Sequence, residues 1–142
     1  MKKLISTLAA VATLATGAAV LTAPAAQAVT ISGSGVKYVF CSANQHGNEI
    51  AYYDRYGKVE KIVSLNSVDG NAFCGAVEVS IEPDSYVWSS ISNDNSSYVY
   101  AAIYSVSYPL FSGSTGAPPQ YTLVARDESH DSYGGFNYAI AG

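Results

Sequence analysis

The chain has 142 residues, with seven Lys and Arg against eleven Asp and Glu, a formal net charge of −4, and only two cysteines. An acidic balance argues against a nucleic-acid partner, because a phosphate backbone selects clustered basic side chains. It argues against anionic membrane surfaces for the same reason, and the length suits a single domain with a real core.

The first 28 residues order a charged pair, Lys2 and Lys3, then an apolar Ala/Leu/Val run, then small residues ending Ala26-Gln27-Ala28. That succession is the pattern of a secretory signal peptide with an A-x-A cleavage site, so residues 1–28 are expected to be removed. Ser6, Thr7, Thr13, Thr16 and Gly17 interrupt the apolar run and make it a poor membrane span. No stable membrane insertion is expected after cleavage, and the expected location is secreted, extracellular or at the cell envelope. The 114 residues left when 28 are removed from 142 keep five of the seven basic residues and all eleven acids, a net charge near −6.

Residues 29–35, "VTISGSG", read as a flexible lead-in. From there the chain alternates apolar and polar residues in short runs between turn signals: "VKYVFC" (36–41), "EIAYYD" (49–54), "KVEKIVSL" (58–65), "GAVEVSIE" (75–82), "SYVWSSIS" (85–92), "YVYAAIYSV" (98–106) and "YTLVAR" (121–126). Each reads as a strand. In "YDRYGK", Asp54 and Gly57 supply turn chemistry, so the second and third strands should form a hairpin. "SNDNSS" reads as a further turn between the fifth and sixth. About seven short strands without a helical stripe predict an all-β fold, a small immunoglobulin-like β-sandwich spanning 36–126. Residues 127–142 read as a tail or an edge strand, since Phe136, Tyr138 and Ile140 alternate.

Two cysteines in an exported chain, Cys41 and Cys74, most simply form one disulfide. No CxxC pair accompanies them, and a thiol nucleophile or a metal pair would have only His46 and His130 for assistance.

Hydrolytic chemistry finds little support. A serine hydrolase needs a nucleophile on a sharp elbow near a histidine and an acid; no G-x-S-x-G occurs, and "SGSTG" (112–116) lies among prolines with no histidine nearby. Glu78 and Glu82, four residues apart on one strand face, would stand about 13 Å apart at 3.3 Å per residue, wider than the roughly 5 to 9.5 Å that glycosidases use. "RDESHD" (126–131) gathers Asp127, Glu128, His130 and Asp131, the one place to look for a metal, but it lacks the turn glycine that a dedicated cation loop uses. The expectation is a protein that is not an enzyme, with no metal site and no cofactor.

The stretch "YVYAAIYSVSY" (98–108) places Tyr98, Tyr100, Tyr104 and Tyr108 on one side of a strand. The opposite side carries the compact set Val99, Ala101 and Ile103, which lacks hydroxyls and should face the core. The tyrosines would then stand on the outer face as a contact surface for a protein partner or an apolar small molecule.

From "AYYDRYGKVEKIV" through "VWSSISNDNSSYVYAAIYSV" to "SGSTGAPPQYTLVA", the order and spacing of segments resembles the MmpS (mycobacterial membrane protein small) family and related actinobacterial exported domains. The resemblance covers residues 36–126. It implies an immunoglobulin-like sandwich and a non-catalytic accessory role at the cell envelope. In many such proteins cysteines lie on the last two core strands, where this chain has "VYAAI" and "TLVAR". Two alternative functions remain in view: an inhibitor of a secreted hydrolase that uses the 109–121 loop, and a cryptic enzyme built on the carboxylates.

Overall fold

The computed structural model describes residues 28–108 and 118–142 of the chain. These form nine strands: β1 (Val29–Ile31), β2 (Gly35–Ser42), β3 (Asn48–Asp54), β4 (Gly57–Val63), β5 (Ser67–Asp69), β6 (Ala72–Ser80), β7 (Ser85–Val87), β8 (Ser89–Ser107) and β9 (Gln120–Ala141). The fold is all-β and sandwich-like, with a disulfide between Cys41 and Cys74.

One long strand organises the molecule. The start of β8 pairs antiparallel with β3, from Ser89 opposite Tyr52 to Ser92 opposite Glu49, while its end pairs with β2, from Val99 opposite Ser42 to Val106 opposite Gly35. β9 runs antiparallel along the other edge of β8 through both halves. Because β3 and β2 share one edge of the same strand, a bend in β8 turns one half of the sheet toward the other. The ladder to β9 slips its register between Asn93 and Ser96 and again between Ser96 and Tyr98, and such bulges are where a strand bends and twists most.

Small polar side chains fill the inside of that bend. Ser42, Asn48, Asn93, Ser96 and Asn137 are all buried. Asn93 Nδ2 donates to Asn48 Oδ1 (2.9 Å) and to the His46 carbonyl (3.0 Å), Ser42 Oγ donates to Ser96 Oγ (2.9 Å), and Asn137 Nδ2 donates to the Ser96 carbonyl (2.7 Å). Bulges leave backbone groups without ladder partners, and a buried group without a partner costs about 1–3 kcal/mol. The amides and hydroxyls supply those partners.

The two halves meet over an apolar and aromatic core. From β2 come Val36, Tyr38 and Phe40; from β3, Ile50 and Tyr52; from β8, Ile91, Val99, Ala101 and Ile103; from β9, Ala139 and Ala141. The Tyr38 and Tyr52 rings lie 5.3 Å apart, and the Tyr38 hydroxyl donates to the Tyr53 carbonyl at 2.7 Å. Burial pushes the Tyr38 phenol well above its ordinary pKa, so it stays a donor. The β1–β7 ribbon closes one end of the core with Ile31 and Val87.

Several sequence expectations change here. "SNDNSS" is no turn: the two strands expected at 85–92 and 98–106 are joined into β8, while Ser85–Val87 separates as β7. Asn93 and Ser96 keep local bonds to the backbone of Asn95 and Tyr98, but they also bond across to Asn48 and Ser42, which holds the segment as a bulged strand instead. The lead-in 29–35 contains β1 and the first residue of β2, and of the two alternatives for 127–142 the edge strand is the one found, since residues 127–141 continue β9 and pair with β8 out to Ala141. Glu82 lies beyond the end of β6 at Ser80, so it does not share a strand with Glu78. The hairpin at "YDRYGK" is present: Asp54 pairs with Gly57, Asp54 Oδ1 accepts the Tyr56 N–H at 2.7 Å, and Gly57 has φ +126°, a conformation that favours glycine. The leader up to residue 27, most of the 109–121 loop, and the Phe136 and Tyr138 side chains lie outside the described residues.

Candidate functional site: the outer face of β6, β2, β8 and β9

Strand alternation separates the large side chains of β8 near its end, although Ala102 and Val106 on the tyrosine side are also buried and the ladder to β9 slips between Ile103 and Tyr104. Val99, Ala101 and Ile103 are fully buried, whereas Tyr98, Tyr100 and Tyr104 on the other face are half-buried and Tyr108, just past the strand, is 56 % exposed. Register places the neighbours of each tyrosine. Tyr100 stands between Cys41 of β2 and Glu128 of β9; Tyr104 stands between Lys37 of β2 and Leu123 of β9, with Glu78 of β6 beyond Lys37. Ala102 and Val39 lie in the row between, so small side chains separate the rings.

Glu78 ties one end of this face together. Its two carboxylate oxygens accept hydrogen bonds from the Tyr108 hydroxyl and, at 3.0 Å, from the Tyr121 hydroxyl. The Tyr108 bond holds the Glu78 carboxyl below its usual pKa, helped by Tyr121 and by the Lys37 charge, while both phenols are raised because they donate to it. The Lys37 ammonium lies 4.4 Å from the centre of the Tyr121 ring, a cation–π contact. Lys37, Val39, Tyr104 and Tyr121 together surround a depression of about 270 Å³. Two exposed aromatic rings are thus pinned by one carboxylate rather than left to swing.

At the opposite end, Tyr98 packs on His130, ring centres 4.7 Å apart. Burial, followed by the Glu128 and Asp69 charges, raises the Tyr98 phenol. Tyr100 is raised as well, first by burial and then by Tyr104. Neither is set up as a proton acceptor. The Cys41–Cys74 disulfide crosses directly between β2 and β6, with Cα atoms 4.1 Å apart, and forms part of this surface.

The four tyrosines of the "YVYAAIYSVSY" pattern therefore share a face with residues that the pattern did not indicate: Lys37, Glu78, Tyr121, Glu128 and His130. Alternation in "VKYVFC" and "GAVEVSIE" would place Lys37 and Glu78 on the solvent side of their strands, yet their adjacency to the tyrosines follows from strand order, which alternation does not encode. The "RDESHD" group is split by β9. Glu128 and His130 face outward, whereas Asp127 Oδ2 accepts the Ile140 N–H at 2.9 Å and Ser129 donates to Asn137. Among the described residues no three His, Cys, Asp or Glu side chains are grouped so as to hold a metal ion. No helix among them is long and apolar enough to cross a membrane, and the disulfide fits a compartment other than the cytoplasm.

No protein family, curated protein or solved structure matches the chain.

Proposed function

We propose that the protein is a small exported binding domain, without catalytic chemistry, that contacts a protein partner or an apolar small molecule through the outer face of β8. The observation that carries this reading is the contrast on that strand: Val99, Ala101 and Ile103 are sealed in the core while Tyr98, Tyr100, Tyr104 and Tyr108 keep accessible aromatic surface. Tyrosine offers a large rigid contact area with a polar tip and few torsions to freeze, which suits recognition surfaces. Pinning Tyr108 and Tyr121 on Glu78 lowers the ordering cost of binding further. An accessory role at the cell envelope, of the kind the MmpS-like pattern implies, agrees with a disulfide-bonded domain of this size.

Absence of catalysis is part of the proposal. Glu78 is ionised and occupied by two phenols, and the two cysteines are consumed in the disulfide. The experiment compares retention of the parent protein and of a Tyr98→Ser/Tyr100→Ser/Tyr104→Ser variant on isolated envelopes of the producing cell. Substitutions outside the core cost little stability, so the variant should fold and lose retention. A variant that unfolds, or that is retained as well as the parent, would refute the reading.

A further inference from the structure

Beside Tyr98, at the end of the face farthest from Glu78, a trough of about 450 Å³ opens between β8 and the β5–β6 turn. Its apolar lining is small, made by Ala43, Ala72 and the Cys41–Cys74 disulfide, with Ser97 also on its surface. One wall is the Tyr98 ring. The other is the turn, where Asp69 pairs with Ala72 and Gly70 takes φ +59° to bring Asn71 round to the trough. Glu128 and His130 of β9 complete the rim.

The fixed charges on the rim, Asp69 and Glu128, have one sign. Asp69 and Glu128 both line the trough together with Tyr98, which sets two carboxylates around one aromatic ring. Neither lysine nor arginine is among the residues that line the trough; the one titratable base there, His130, packs at a tilt on Tyr98 with its Nε2 3.9 Å from Glu128 Oε1, so a guanidinium, which keeps its charge at any ordinary pH, is the stronger cation for this pair of carboxylates. An aromatic wall and a pair of carboxylates attract a cation. An apolar lining beneath them does nothing for a compact ammonium ion, but it suits a cation carried on a hydrocarbon stem, since lysine and arginine bury their methylenes and keep the head group in polar surroundings. Of the two, a planar guanidinium can stack on a ring and donate sideways to a carboxylate at once.

We propose that the trough receives an arginine side chain of the protein partner that docks on the tyrosine face, its stem lying on Ala43, Ala72 and the disulfide and its guanidinium between Tyr98, Glu128 and Asp69. The inference rests on the binding role proposed for that face and names the chemistry of the partner at one end of it. It also sets orientation: the partner's basic residue lies at the Tyr98 end, because at the Tyr108 end the carboxylate there, Glu78, is already engaged by Tyr108, Tyr121 and the Lys37 charge.

The test is a titration of the isotope-labelled protein with N-acetyl-arginine amide, followed by backbone amide shifts. The uncharged isostere N-acetyl-citrulline amide and the stemless cation tetramethylammonium serve as comparisons. Saturable shifts are expected at Asp69, Asn71, Tyr98 and Glu128, with a dissociation constant in the millimolar range for a single side chain (about 1 mM corresponds to a weak contact). An Asp69→Asn/Glu128→Gln variant should bind at least about fivefold more weakly, as loss of two partly exposed charge contacts implies. Equal binding of the citrulline compound, or unchanged affinity in the double variant, would overturn the charge argument; equal binding of tetramethylammonium would overturn the side-chain argument. The titration reads the trough alone, whereas envelope retention of the tyrosine variant reads the whole face, so either result can fail without the other.

Discussion

Removing the Cys41–Cys74 bond should destabilise the domain by an amount set mainly by the chain between the two cysteines. They are 33 residues apart, and the loop-closure relation gives about 3.7 kcal/mol at 25 °C for a loop of that length, as lost constraint on the unfolded chain. With an unfolding entropy of about 2.1 cal/mol/K per residue over residues 29–142, that corresponds to a fall in Tm of roughly 15 °C. The native sheet should hardly change, because Cys41 and Cys74 are directly opposed and flanked by a full ladder from Gly35–Ser80 to Ser42–Phe73. The assay is urea denaturation of a Cys41→Ala/Cys74→Ala variant beside the oxidised parent, followed by circular dichroism. A drop of about 3–4 kcal/mol with an unchanged native spectrum is the expected result. A loss below about 1 kcal/mol would show that the unfolded chain is not constrained as the loop argument requires, and an altered native spectrum would show that the bond shapes the sheet.

Ile103, fully buried between the sheet halves, should cost about 2–5 kcal/mol when changed to Ala, whereas Tyr104→Ser on the opposite face should cost under about 1 kcal/mol; denaturation midpoints compare them. Asn93→Ala removes donors to Asn48 and His46 and an acceptor for the Asn95 N–H, so a loss of about 2–3 kcal/mol and faster hydrogen exchange at the β8 bend are expected. The Glu78 tether should depend on pH in a defined sense. The Glu78 carboxyl titrates below its ordinary range, and the Tyr108 and Tyr121 phenols titrate above theirs. Its contribution is therefore complete between those limits, lost on acidification through the depressed carboxyl pKa, and lost again as the raised phenols ionise. Ring resonances of Tyr108 and Tyr121 that shift together on acidification through that carboxyl pKa would agree; rings insensitive to that titration would not.

What could be read from the residues alone followed distance along the chain. The β3–β4 hairpin is legible because both strands, the Asp54 side chain and Gly57 lie within one short span, and the inward face of β8 is legible because Val99, Ala101 and Ile103 carry no group needing a buried partner. The continuity of β8 is not. Asn, Asp and Ser form turns by bonding to nearby backbone, and the run Asn93–Ser96 offers that local solution. Part of that solution is used, at Asn95 and Tyr98, but the partners that keep the strand continuous, Asn48, Ser42 and Asn137, lie more than forty residues away, and nothing within "SNDNSS" announces them. Glu78 is a similar case. On its own strand it reads as a solvated charge, and it becomes a tether only through tyrosines 30 and 43 residues later.

Sharing β8 between both halves has a consequence for how the molecule comes apart. β3 hangs on its first four residues, β2 on the eight from Val99 to Val106 near its end, and β9 on nearly all of it. Neither half of the sandwich retains a complete sheet if β8 leaves, so partial opening through either half exposes the core of both. The domain should melt in a single transition, with amide exchange in β2, β3 and β8 occurring only through that global event. Most of its native pairings also join segments distant along the chain, which makes folding slow relative to helical proteins of equal length. A domain of this design gains resistance to proteases from the absence of a small opening step, in exchange for a long interval before β9 is in place.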